Sequence, residues 1–128
     1  MSATPKELID CAEVMLQSAK DEPVFRAVCS RAYYGAYHAA REFHEALPSP
    51  GSVGNASGRH EQLIAQLNNP TISRQNKKYI RSIALGKTLR TLVSARVQAD
   101  YEIGDAVDQH AATQSVQTAK TLHTAATT

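Results

Sequence analysis

Apolar side chains in this chain recur every three or four positions and never in sustained alternation, a period that builds helices and leaves no strand or hairpin pattern. Capping residues and prolines cut the pattern into segments. Thr4-Pro5-Lys6-Glu7 places Thr at an N-cap, Pro at the first helical position and Glu where it closes a capping box. A helix carrying Leu8, Ala12, Met15, Leu16 and Ala19 is predicted from there to Lys20. Asp21-Glu22-Pro23 starts a second, long helix with Val24, Ala27, Val28, Ala32, Ala36, Ala39, Ala40, Phe43 and Leu47 as its apolar stripe, and Pro48-Ser49-Pro50-Gly51 stops it. Residues 48–58 read as a mobile surface loop. A short helix over Arg59 to Asn68 ends at Asn69-Pro70. Ser73 is expected to cap a long basic helix whose buried positions are Ile80, Ile83, Ala84, Leu89, Leu92 and Val93, and Asp105 to Ala125 reads as a weaker last helix. The expected fold is all-α, a four- to five-helix antiparallel bundle forming a single domain over residues 1–128.

Composition agrees. A chain of 128 residues can bury one core and not two, and 42% hydrophobic against 20% charged residues is a folded, not a disordered, balance. No window approaches the ~18 consecutive apolar residues of a membrane span, and the start lacks a signal-peptide layout, so a cytoplasmic, membrane-free protein is expected. Cys11 and Cys29 are too few for a disulfide scaffold or a zinc site and are read as buried thiols. The five histidines, at 38, 44, 60, 110 and 123, are scattered, so neither a metal nor a cofactor is expected.

A net charge of +2 says little, but its distribution is uneven. Between Glu61 and Asp100 there is no acid, while Arg74, Lys77, Lys78, Arg81, Lys87, Arg90 and Arg96 supply half of the 14 positive charges. Such a run is the electrostatic precondition for holding a polyanion, and equally describes a helix face that is merely solvated.

The segment Ser30 to Arg41, SRAYYGAYHAAR, carries the most chemistry. Seven residues bring a helix round to nearly the same face, so Arg31 and His38 share a stripe about 10 Å long, with Tyr34 and Gly35 between them. A glycine in mid-helix costs about 1 kcal/mol against alanine and marks a place of close approach. Tyr33, Tyr34 and Tyr37 bring phenols to the same stretch, where they serve as core filler with hydroxyls at the rim or as partners for a phosphate or a base. Arg96, four residues before Asp100, is positioned for an intrahelical pair, and Asp100 and Tyr101 read as architectural. His60 reads as a cap or rim residue, and His44 as solvent-facing.

SRAYYGAYHAAR resembles the signature helix of HEPN domains (higher eukaryotes and prokaryotes nucleotide-binding), and LVSARVQADYEIGDA, with Arg96, Asp100 and Tyr101, is similar to a later segment of one bacterial branch of that family. The resemblance spans most of the chain. It implies a metal-independent endoribonuclease with Arg31 and His38 as catalytic pair, working as a homodimer in which two copies of the motif face a shared cleft. It also implies the toxin role of a toxin–antitoxin pair, with a minimal nucleotidyltransferase antitoxin as partner. Ser30, Tyr34 and Tyr37 would support the RNA, and Arg74, Lys77, Lys78 and Arg81 would hold its backbone. The sequence departs from the subgroup that carries a tyrosine two residues after the histidine, since Ala40 stands there. A non-catalytic HEPN module that binds a nucleotide or a nucleotidyltransferase is the alternative, and a helical interaction protein the third.

Overall fold

The computed structural model describes residues 3–128. The chain is all-α, with α1 (Pro5–Ser18), α2 (Glu22–Glu45), α3 (Arg59–Asn68), α4 (Lys78–Tyr101) and α5 (Gln109–Thr127). The start signals act as expected at the first two helices. The Thr4 hydroxyl accepts the Glu7 N–H at 3.1 Å while the Glu7 carboxylate accepts the Thr4 N–H at 2.9 Å, and the Asp21 carboxylate accepts the Val24 N–H. At α5, Asp108 caps by accepting the Ala111 N–H at 2.9 Å, three residues later than the sequence suggested.

Helix α2 is the central rod, packed against α1, α4 and α5. Its alanines at 32, 36, 39 and 40 are buried and let the neighbours come close. Gly35 shows how close: a Cβ there would stand 2.6 Å from Ile9 Cγ1 on α1. The glycine admits α1, whose Leu8 and Ile9 come up beside the stripe of Arg31 and His38. Helices α1 and α2, α3 and α4, and α4 and α5 run antiparallel, whereas α2 runs in the same direction as α3 and α5: Tyr33 meets His60 and Arg41 shares a cavity with Gln66, while Glu22 meets Val107 at one end and Ala39 and Phe43 meet Ala126 and Thr127 at the other. Leu67, Leu85, Leu89, Leu92 and Leu122 are sealed in the core, each contributing about 1.5–3 kcal/mol by leaving water.

Four expectations need correction. Helix α4 begins at Lys78, not beside Ser73; Ser73 instead shapes a turn by accepting the Gln75 N–H, and Asn76 accepts the N–H of Lys78. Its buried face is also rotated. Ile80 is 75% exposed and Ala84 lies at the surface, while Ser82, Leu85 and Gly86 point inward. The reason is α3: the Ser82 hydroxyl donates to the Leu67 carbonyl at 2.8 Å, and a Cβ on Gly86 would strike the Asn68 side chain. A seat made of serine and glycine has no hydropathic signature. Cys11 is exposed, and Cys29 alone is buried. His44 is buried too, its Nε2 accepting the Gly51 N–H at 3.0 Å, which ties the 48–58 loop to the end of α2.

One residue without a role in the sequence reading organises the α4–α5 connection. The Arg26 side chain is only 13% exposed, pairs with Glu22 at 3.0 Å, and donates to the carbonyls of Gln98 (3.1 Å), Ala99 (2.9 Å), Glu102 and Ile103 (both 3.3 Å) and Asp105. The last carbonyls of a helix lack partners of their own and carry partial negative charge, so a guanidinium is their natural cap. The second Glu22 oxygen accepts the Val107 N–H at 3.2 Å. Arg26 and Glu22 thereby hold the end of α4 in place.

Candidate functional site

Ser30, Arg31, Tyr33 and Tyr34 of α2, His60 of α3 and Arg96 of α4 line an open cleft of about 370 Å³. The expected Arg96–Asp100 pair is present at 2.9 Å. Asp100 also accepts from the Ser30 hydroxyl at 3.2 Å, so one carboxylate joins α4 to α2. That bond takes the Ser30 proton, which is then not free for a phosphate. The Arg96 guanidinium lies over two rings, 5.8 Å from Tyr33 and 5.4 Å from the exposed Tyr101.

The shortest polar contact in the cleft joins Tyr33 to His60, with the phenol oxygen 2.5 Å from Nδ1. Burial pushes the Tyr33 phenol well above the usual tyrosine range. His60 is held below the usual histidine range, by burial first and then by the Arg96 and Arg59 cations. The phenol keeps its proton and the imidazole stays neutral, so one hydrogen bond joins them and engages Nδ1, its direction set by the ring tautomer. His60 is thus a wall of the cleft. Gly58 holds the N-cap position of α3, so His60 caps nothing. The only sequence signal was a lone histidine at a helix start, which by itself is unspecific.

Arg31 lines the cleft and is exposed; His38 is partly buried and is not among the cleft-lining residues. The two are bridged by Tyr34, whose ring meets the edge of His38 with centroids 4.5 Å apart. The stripe of Arg31, Tyr34 and His38 is therefore continuous, but the imidazole beside Arg31 in the cleft is His60. Tyr37 belongs elsewhere: it is buried, its ring stands 4.5 Å from His60, and its far side faces a second cavity.

The basic run is split. Lys78 and Arg81 flank Glu42, Ala46 and the 126–128 segment, and Arg81 donates to the Thr128 main-chain oxygen. Helical rise puts Lys78 about 27 Å along α4 from Arg96. Arg74 and Lys77 are exposed on the turn before α4. None of these four lines the Arg31 cleft. Nor is the run free of acids in space, because Arg90 is held bidentately by Glu61 at 2.9 and 2.7 Å, and Arg96 by Asp100.

Among the described residues no three His, Cys, Asp or Glu side chains gather as metal ligands, and no helix is long and apolar enough to cross a membrane. No family model matches the chain, and no curated protein or solved structure matches it significantly.

Proposed function

We propose that the chain is a metal-independent endoribonuclease of the HEPN type, acting as a homodimer and as the toxin of a toxin–antitoxin pair whose antitoxin is a minimal nucleotidyltransferase. The observation that carries the reading is the convergence of Arg31, Arg96, His60 and Tyr34 on one open cleft, with the His38 ring edge-to-face with Tyr34 on the same stripe. RNA holds its own nucleophile, so cleavage needs positioning, a proton acceptor, a proton donor and charge stabilisation. The 2′-oxygen attacks the adjacent phosphorus and its proton passes to the His38 imidazole. The bond from phosphorus to the 5′-oxygen breaks, and that oxygen takes a proton from the second copy's imidazolium. The products are a 2′,3′-cyclic phosphate and a 5′-hydroxyl. Arg31 grips the phosphate bidentately and stabilises the charge that develops there. Arg96, engaged with Asp100, holds the wall and adds field.

A second reading has a specific observation behind it. His38 is outside the cleft, and the imidazole inside has its Nδ1 occupied by Tyr33. That arrangement suits a module that binds a nucleotide or an RNA end without cutting it. One assay separates the two: cleavage of RNA by purified protein in a metal chelator, comparing the parent with Arg31→Ala, His38→Ala and His60→Ala. The ribonuclease reading expects loss in the first two and a cyclic phosphate end in the parent. Cleavage by those variants equal to the parent's would sink the catalytic assignment, and RNA binding without cleavage in the parent would establish the module.

A further inference from the structure

Beyond the Tyr37–His60 ring contact lies a second cavity, of about 390 Å³, between α2 and α3. Its floor is Tyr37, only 3% exposed as a residue. Among the described residues no side-chain oxygen sealed from solvent lacks a partner and the Tyr37 hydroxyl has no hydrogen bond, so this hydroxyl opens into the cavity. Arg41, Arg59, Gln62 and Gln66 form the walls. The two guanidinium groups stand close enough to the phenol to oppose the upward push of burial on it. Arg41 is paired with Glu45 at 2.8 Å, whereas Arg59 has no ion pair among the described residues. Helix α3 starts at this rim with no side chain capping its first N–H groups, which adds partial positive charge. Against one carboxylate, Glu45, the cavity sets two cations, a buried phenol donor and two amides.

We propose that this cavity is a second phosphate subsite, and that single-stranded RNA lies along α2 with one phosphate at Arg31 and another at Arg59 and Arg41. It rests on the preceding reading for RNA as the polyanion but not for cleavage. The two arginines of α2 are about 15 Å apart by helical rise, the length of a few nucleotides. Between them Tyr34, 46% exposed and braced by His38, offers a ring on which a base stacks. Cations separated by an exposed aromatic ring are what single-strand grooves use, backbone on the charges and bases on the rings.

The test is binding of a fluorescent 2′-O-methylated hexanucleotide, which cannot be cleaved, by the full chain at several salt concentrations. Arg59→Ala should weaken binding about five- to ten-fold and flatten the salt dependence by ~0.7 in log–log slope, the share of one phosphate on a single strand. Tyr37→Phe, which keeps the core volume, should weaken it about three-fold as a lost hydrogen bond. If Arg31→Ala weakens binding while Arg59→Ala and Tyr37→Phe do not, the subsite is wrong and the cleft stands. If Lys77→Ala/Lys78→Ala weakens it and Arg59→Ala does not, the strand follows α4 and the subsite is again wrong. A parent that binds no oligonucleotide overturns the subsite together with the RNA reading. Loss in Arg59→Ala with cleavage absent in the parent keeps the subsite and removes the nuclease.

Discussion

The start of α4 and the turn before it carry Arg74, Lys77, Lys78 and Arg81; the end of α4 contributes Arg96 alone to the cleft. By linear charge the first region looks like the place for a polyanion. In space it is a spread of separate side chains, part of it turned towards Glu42 and the 126–128 segment. The single arginine at the other end meets Arg31, His60 and two tyrosine rings around a concavity. Convergence on one space, not density along the chain, makes a site, because a ligand responds to several groups only where they reach it together.

The contrast can be broken most directly by activity. Arg31→Ala should lower RNA cleavage by about 10²–10³-fold, the usual cost of removing a transition-state donor, while Lys77→Ala/Lys78→Ala should change it less than about three-fold at moderate salt. Equal losses would mean that the basic turn is part of the machinery. Next in size is the latch. Arg26→Ala leaves the last carbonyls of α4 without their cation and should cost about 2–3 kcal/mol of unfolding free energy. Hydrogen exchange should then rise at residues 98–107 and stay unchanged at 74–81. Uniform loss of protection would show that the two ends are not independent.

A smaller effect separates the ends by pH. His60 and His44 are both held below the ordinary histidine range, chiefly by burial. Below pH ~6.5 the unfolded chain takes up protons that these folded imidazoles refuse, so stability falls as pH falls, by at most about 1.4 kcal/mol per pH unit for each, until the folded values are reached. Denaturant unfolding between pH 7.5 and 5.5 measures this. His60→Asn should flatten the profile, and an unchanged slope in a His44→Asn/His60→Asn double variant would refute the assignment. The smallest expected term is the Arg90–Glu61 bridge, which is half-exposed and bidentate. A double-mutant cycle should return about 0.5–1 kcal/mol of coupling, shrinking with salt.

Much of the framework was legible. Thr4, Pro5 and Glu7, Asp21 with Pro23, and the break at Pro48 to Gly51 act locally, and each marks a helix end that the structure has. The site was legible by half. Arg31 and Tyr34 follow from helical spacing on one element. His60 does not, because its role comes from a phenol 27 positions earlier in the chain. Arg26 was missed for the same reason, since its acceptors are backbone carbonyls more than 70 positions away, and a carbonyl has no residue type.

By itself the sequence determined the helical period, where α1 and α2 start, and the stripe that α2 exposes, since these depend on residues within a turn or two of each other. Only the tertiary structure decided that α3 would sit on a serine and a glycine of α4, that Gly35 would serve α1, and that His60 and Arg96 would close a cleft around Arg31. Those outcomes depend on contacts between elements far apart in the chain, where shape and hydrogen bonding outweigh the hydropathy of any single residue.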